Sequence, residues 1–223
     1  MKAAQYAIIS RMKTVYKGGS AEIIEKKSRF IADVAPVKSE EEAAAFIAEV
    51  KKRYWDCRHN CSAFVIGENG QLSRCSDDGE PSGTAGRPIL DVITGSGLTD
   101  ICIVVSRYFG GTLLGTGGLV RAYSGAARAG IEASEIMEVY PGRELYIAST
   151  YDFVGKIQFA ASELGIHETC CEYGEGAAFS YMVRADLVDK AILRLTDITA
   201  GKAQITLGDE IKYAIIDGRV LKL

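Results

Sequence analysis

Three carboxylates within four residues form the first group in this sequence that could carry chemistry. They are Asp77, Asp78 and Glu80. They lie in the polar, glycine-rich segment 75–86, and on a loop before a helix they could hold Mg²⁺ or act as general acid and base. The alternative is turn chemistry, in which Asp-Gly and Pro-Ser-Gly turn the chain and Ser82 or Thr84 caps the next helix. The segment is not an EF-hand loop, because the alternating oxygen ligands and the terminal glutamate are missing.

A second glycine-rich segment, 105–121, follows a predicted strand and precedes a predicted helix. Free amides at a helix N-terminus bind anions, and Arg107 or Arg121 could add a bidentate partner. The segment contains no G-K-[ST] and lacks the last glycine of G-x-G-x-x-G, so it matches neither nucleotide-binding motif. The alternative is that its glycines let a helix pack tightly on a sheet.

His59 lies in the run Cys57-Arg58-His59-Asn60-Cys61, where two thiols and an imidazole could be zinc ligands. No fourth ligand stands nearby, so core packing is the favoured interpretation. If the three segments meet in one cleft, the carboxylates and Arg107 would form a phosphate and Mg²⁺ site for phosphoryl transfer or hydrolysis, with His59 as acid or base. The candidate ligand-binding residues are Ser82, Thr84, Arg107, Gly110, Gly111, Gly117, Gly118 and Arg121.

Charge is unevenly distributed along the chain. The formal net charge is −3, which argues against a protein that coats nucleic acid by bulk electrostatics. Residues 1–143 carry 18 basic and 17 acidic side chains, whereas residues 144–223 carry 8 and 12. Residues 1–38 hold 8 basic and 3 acidic side chains. Any contact with a polyanion is therefore expected at a patch of the N-terminal part, where Tyr54-Trp55 and Tyr108-Phe109 could stack bases or serve as core and rim aromatics.

The elements that must position these residues follow from the apolar pattern. A strand ends at a proline, and Ser39 then caps a helix whose first turn is acidic. A solid apolar run, Asp100–Val105, is typical of a strand buried on both faces. The predicted strands are 30–37, 59–66 and 100–105, and the predicted helices are the one after Ser39, a short one at 87–94, and a long alanine-rich one from Leu119 to about Met137.

Pro141-Gly142 is the predicted domain boundary, giving domains 1–140 and 141–223. Beyond it the pattern predicts strand, helix, hairpin, helix and strand, which is the order of the split βαβ plait. Asp186 is expected to cap the second of these helices. The predicted elements are strand 144–150, helix 152–164, strands 166–173 and 177–184, helix 186–199 and strand 203–207.

Composition is that of a globular protein, with 48% hydrophobic and 25% charged residues. No run of about 18 apolar residues exists, so no membrane span is expected. The first residues show no secretory signal, and six cysteines form no C-x-x-C pair. The expected location is the cytoplasm, with reduced thiols.

Three ordered blocks of this sequence resemble the YigZ/IMPACT family. The blocks are 58–64, 77–88 and 104–123. The resemblance covers a domain from about 20 to 138, and residues 141–223 resemble the ferredoxin-like domain that bacterial members append. It implies an N-terminal α/β fold like the second half of a small-subunit ribosomal protein and domain IV of elongation factor G, although fold alone does not fix function.

The resemblance implies a link to translation, because eukaryotic relatives regulate translation by competing for a regulator of a stress kinase. The leading hypothesis is a non-enzymatic protein that contacts the ribosome, RNA or a translation protein, with Lys26, Lys27 and Arg107 as RNA contacts. One alternative is the Mg²⁺-dependent enzyme or phosphate binder described above, and a third is a protein-interaction scaffold. Whether turnover occurs, and the oligomeric state, stay open, and no cofactor other than Mg²⁺ is expected.

Overall fold

A computed structural model of the chain describes residues 12–223. These residues form a mixed α/β protein of two compact units, Met12–Met137 and Glu138–Leu223. Each unit has its own sheet and its own hydrophobic core. Among the described residues, no helix has the length and apolar character needed to cross a membrane.

The first unit is built on an antiparallel five-stranded sheet in the order β2-β3-β6-β4-β5. Three helices pack on it. In chain order the elements are β1 Met12–Lys17, β2 Ser20–Glu25, β3 Ser28–Pro36, α1 Glu40–Arg53, β4 His59–Ile66, β5 Leu72–Ser76, α2 Gly86–Gly95, β6 Ile101–Tyr108 and α3 Thr116–Glu132.

The central strand β6 is buried from Ile101 through Arg107, as its continuous apolar run predicts. Its alternate side chains therefore serve two cores. On one face Ile101, Ile103 and Val105 pack in the cluster that includes side chains of α2 and α3, and on the other face the cluster includes side chains of α1. The predicted cap of α1 is confirmed, because the N–H of Glu42 donates to Ser39 Oγ at 3.2 Å.

The strand register gathers the motif segments at one end of this sheet. Arg107, near the end of β6, lies opposite His59 at the start of β4 and opposite Phe30 near the start of β3. Helix α3 follows β6 from this end, and the loop 77–85 returns to it before α2 begins. We call this end, where β3 and β4 begin and β6 finishes, the motif end.

The second unit has the element order β-α-β-β-α-β with one further strand. Its sheet order is β11-β10-β7-β9-β8. Side chains of α4 and α5 pack in one hydrophobic core with Leu145 and Ile147 of the sheet. The elements are β7 Glu135–Ser149, α4 Val154–Leu164, β8 His167–Tyr173, β9 Ala177–Arg184, α5 Val188–Ile198, β10 Gln204–Ile216 and β11 Arg219–Lys222, with short 3₁₀ turns before α4 and α5.

Two local predictions are wrong. Helix α3 ends at Glu132, and the chain is already in strand β7 when it reaches Pro141. Pro141 lies opposite Lys212 of β10, and the ladder with β9 begins at the next residue, Gly142. Asp186 does not cap α5, because its carboxylate is bound by the Arg184 guanidinium at 2.5 and 2.8 Å.

Candidate functional site

Asp77 holds the loop 77–85 onto the start of α2. Its carboxylate accepts hydrogen bonds from the N–H groups of Gly83, Ala85 and Gly86 at 2.8, 2.9 and 2.8 Å. Burial raises the pKa of Asp77, but these three N–H groups outweigh that effect and the pKa lies below its ordinary value of 3.8. This carboxylate therefore accepts hydrogen bonds from the N–H groups at the start of α2, although it lies eight or nine residues before them in the chain.

The predicted caps Ser82 and Thr84 do not cap α2. No side chain of the N-cap residue bonds to the helix. The Thr84 hydroxyl donates instead to the Pro81 carbonyl at 2.6 Å, and Ser82 is exposed. Sequence proximity suggested these hydroxyls, but Asp77 brings a charged acceptor to the same amides and so makes the stronger bonds.

Asp78 joins the loop to β4 and α1. Its carboxylate accepts from Lys51 Nζ at 2.6 Å and from the N–H of Asn60 at 2.7 Å. Its carbonyl oxygen lies 2.8 Å from His59 Nδ1, and since a carbonyl only accepts, Nδ1 must carry the hydrogen. Burial raises the pKa of Asp78, but Lys51 and the Asn60 amide lower it by more.

Glu80 is the most deeply buried of the three carboxylates. Its Oε1 accepts from Arg107 Nη1 at 2.6 Å and from the Tyr123 hydroxyl at 2.8 Å. Both side chains of the ion pair are more than nine-tenths buried. The Arg107 guanidinium also lies over the rings of Phe30 and Phe109, at 5.4 and 5.7 Å from their centroids. One carboxylate thus connects the loop to β6 and to α3.

Polar groups on β4 complete the network. The Cys61 thiol donates to the Asp77 carbonyl at 2.9 Å, and burial raises its pKa to about 12, which leaves the thiol protonated and unreactive. On the other face of the sheet, the buried Ser106 hydroxyl donates to the Asn60 side-chain oxygen at 2.6 Å. The Cys57 thiol donates to the His59 carbonyl at 3.4 Å.

The three predicted segments therefore meet at the motif end, through contacts that already engage their carboxylates. His59, Asp78 and Asn60 lie together, and Arg107 meets Glu80. Within residues 12–223, no group of three or more His, Cys, Asp and Glu side chains is arranged to hold a metal ion. Four partners in this network were not among the candidate residues predicted from the sequence: Lys51, Asn60, Ser106 and Tyr123. Asn60, Ser106 and Tyr123 lie in the motif blocks, which could have indicated them, whereas Lys51 lies outside all three blocks.

The glycines of the second segment serve different purposes. A side chain at Gly110 would overlap the backbone of Lys27, with its Cβ 2.0 Å from the Lys27 carbonyl carbon. A Cβ at Gly118 would lie 2.9 Å from that of Leu114, whereas Gly111 and Gly117 face open space or a flexible arginine tip. Helix α3 begins without a side-chain cap, and the Arg121 guanidinium folds back beside Gly117.

Exposed cations and apolar side chains surround this network at the motif end. Trp55 and Leu113 are each 82% exposed and Phe109 is 41% exposed. Lys26, Lys27 and Arg58 are exposed beside them. We call these six residues the motif-end rim. The other basic residues expected from 1–38 include some in 1–11, which lie outside the described residues.

Replacing Gly110 by alanine is expected to lower the free energy of unfolding by about 1–3 kcal/mol, because the new methyl overlaps backbone rather than a movable side chain. The matched control is Gly117→Ala, which lies in the first turn of α3 and should be neutral or stabilising by up to about 1 kcal/mol. Urea unfolding followed by circular dichroism measures both. Equal stability of the two variants would contradict the packing role of Gly110.

Asp77→Asn is expected to destabilise the fold by about 1–3 kcal/mol at pH 7, since a charged acceptor of three amides is lost. The pKa of Asp77 is lower folded than unfolded, so its contribution is complete above the unfolded value and disappears as pH falls through the folded one. The difference from wild type should therefore shrink at pH 3. A difference that stays constant between pH 7 and pH 3 would show that charge plays no part, and Asp91→Asn, on the exposed side of α2, is the control.

Comparison with known proteins places this geometry in a family. Residues 26–131 match the Impact N-terminal domain model. The chain is 40% identical to the IMPACT family member YvyE of Bacillus subtilis over 196 residues, 88% of this chain and 90% of that protein. It is 35% identical to YigZ of Escherichia coli over 187 residues, 83% and 92% of the two chains.

Two further matches are a eukaryotic relative, which covers less of the chain, and a solved crystal structure. Protein IMPACT of Mus musculus is 35% identical over 98 residues, 42% of this chain and 30% of the mouse protein. A crystal structure described as that of a hypothetical protein has a TM-score of 0.57 and 32% sequence identity, and covers 87% of this chain and 96% of its own. The match to YvyE over 88% of this chain and 90% of that protein establishes that the chain belongs to the IMPACT family.

Proposed function

We propose that this protein is a cytoplasmic, translation-linked binding protein that contacts RNA through the motif-end rim. The observation that carries the proposal is the different exposure of the acidic network and of the rim at the motif end. The carboxylates of Asp77, Asp78 and Glu80 are bound by protein donors, while the cations and large apolar side chains of the rim face solvent. Cations that meet phosphates beside aromatic rings that stack bases are what single-stranded nucleic acid requires.

Backbone and side-chain contacts at the motif end fix the segments that carry the rim. The N–H of Arg58 donates to the Arg107 carbonyl at 3.2 Å, which fixes the segment before β4 to β6. The Tyr108 hydroxyl donates to Asp56 at 2.7 Å, beside Trp55. On the other side of β6, the close approach of Gly110 to Lys27 fixes the turn between β2 and β3. The exposed groups therefore stand on a defined frame.

Charge distribution favours a local rather than a global polyanion contact. The chain is acidic overall, with a net charge of −3, so a basic rim must act as a patch. Arg107 is not one of the proposed phosphate contacts, because its guanidinium is buried against Glu80. The cations expected to contact phosphate are Lys26, Lys27 and Arg58.

The finer fold assignments belong to the same proposal. The sheet order β10-β7-β9-β8 of the second unit, with α4 and α5 sharing one core with it, supports a ferredoxin-like plait. We propose for the first unit the fold of domain IV of elongation factor G and of the second half of a small-subunit ribosomal protein. Both likenesses, and the translation link of eukaryotic members that the family resemblance implies, support a role in translation rather than in metabolism.

A Mg²⁺-dependent phosphate site at Asp77, Asp78 and Glu80 is the second candidate. The convergence of these residues with His59 and Arg107 favours it. The hydrogen bonds that each carboxylate already accepts count against it, since a metal would have to displace Lys51, Arg107 or backbone amides. A protein-interaction scaffold would use the rim without RNA.

The test is RNA binding by wild type and by a triple variant, Lys26→Ala/Lys27→Ala/Arg58→Ala. A fluorescent single-stranded RNA of about 12 nucleotides, within the usual size of such sites, is titrated by anisotropy. Each phosphate contact contributes roughly 0.7 to the slope of log affinity against log salt, so the variant should bind more weakly with a slope shallower by about 2.

The matched control is Lys38→Ala/Arg74→Ala/Arg128→Ala, which removes the same charge from other exposed positions of the first unit. It should keep most of the affinity. Equal weakening by both triple variants, or no RNA binding by wild type at low salt, would contradict the proposal. A rise in melting temperature with Mg²⁺ and a small phosphate, lost in Asp78→Ala, would favour the second candidate instead.

A further inference from the structure

The outer face of α5 in the second unit carries an apolar side chain between opposite charges. Leu193 is 74% exposed, although a leucine in a helix of a monomeric domain is usually turned toward the core. Lys190 and Asp197 are exposed three residues before it and four residues after it. At these spacings all three side chains lie on one side of the helix.

This arrangement is complementary to its own two-fold image. Along the helix axis, Lys190 precedes Leu193 by about 4.5 Å and Asp197 follows it by about 6 Å. If a second α5 lies antiparallel across the first near Leu193, Lys190 of each copy faces Asp197 of the other. A two-fold axis repeats every contact, so the two leucines meet at the centre with an ion pair on either side.

The neighbouring helix α4 adds to the same face. A groove of about 670 Å³ is lined by Glu163, Leu164, Lys190, Leu193, Arg194 and Asp197. Its two acidic and two basic side chains balance, and Arg194 is already bound to Glu163 at 3.0 Å across the two helices. On α4, Phe159 is 64% exposed one turn before Glu163. The groove therefore has no net charge to attract a polyanion or a basic tail.

We propose that the chain forms a two-fold homodimer in which α5 packs antiparallel on α5 of a second copy, with Leu193 at the centre. The occupant is a second copy because Lys190 and Asp197 stand on opposite sides of Leu193, so that each can pair with the other residue's counterpart in an antiparallel copy. The contact is small, so the dimer is weak and concentration-dependent. It does not depend on RNA binding, since none of its residues belongs to the motif-end rim.

Sedimentation equilibrium of the full chain, between about 1 and 100 μM, tests the dimer in the range where weak interfaces associate. Wild type is expected to dimerise, and Leu193→Glu to remain monomeric because the two-fold axis brings two carboxylates together. Leu193 is exposed, so the variant should keep its fold by circular dichroism. Ile24→Glu, at an exposed leucine-sized position of the first unit, is the control and should dimerise as wild type does.

A charge swap separates this specific geometry from general stickiness. Lys190→Asp alone and Asp197→Lys alone each create like-charge contacts twice and should weaken dimerisation at least about tenfold. The double variant Lys190→Asp/Asp197→Lys reverses both signs and should restore it to near wild type. A monomeric wild type throughout the range, or a dimer whose strength ignores these changes, would overturn the proposal.

Discussion

The buried Glu80 carboxylate is the constraint on which the first unit depends. A charge removed from water is tolerated only when donors meet it, and here Arg107 and Tyr123 both do so. These two donors come from β6 and α3, so one carboxylate fixes the loop 77–85 against a strand and a helix together. The rings of Phe30 and Phe109 lie against the guanidinium, and both side chains of the ion pair are more than nine-tenths buried.

With the loop anchored at Glu80, its neighbours take positions that would otherwise be costly. Asp78 sits in the left-handed region, with φ at 44°, and its carboxylate reaches Lys51 and the Asn60 amide. Asp77 is turned the other way, onto the amides that begin α2. Three acids within four residues, which repel one another in the unfolded chain, thus each bind a different set of donors. The cations and large apolar side chains of the rim face solvent at the same end of the sheet.

The sequence predicted those features that depend on local pattern. Strand β4 is predicted as 59–66 and strand β9 as 177–184, the bounds that the structure has, because glycine-containing turns stand beside both runs. The cap at Ser39 is predicted from the three acidic residues that follow it in the first turn of the helix. The prediction of a helix reaching Met137 is wrong because strand β7 already begins at Glu135. The prediction of a cap at Asp186 is wrong because the Arg184 side chain binds the Asp186 carboxylate.

The site shows the same limit. The convergence of three segments could be expected from their order, since each stood at the end of a predicted strand or before a helix. Two bonds of the site could not be expected from the sequence: the cap that Asp77 provides for α2, and the bond from Tyr123 to the carboxylate that Arg107 also binds. These bonds join residues 8 to 43 positions apart in the chain. The exposure of Trp55 and Leu113 is likewise a property of the packed unit and not of their neighbours in the chain.

A double-mutant cycle on Glu80 and Arg107 tests most directly whether this ion pair holds the motif together. Unfolding free energies are measured for Glu80→Gln, Arg107→Met and the double variant. Each single change should cost about 3–5 kcal/mol, because it leaves an uncompensated buried charge or donor, and the double variant should cost clearly less than their sum. Single changes that each cost less than about 1 kcal/mol, with additive effects, would contradict the account and return both side chains to the role of ligand contacts.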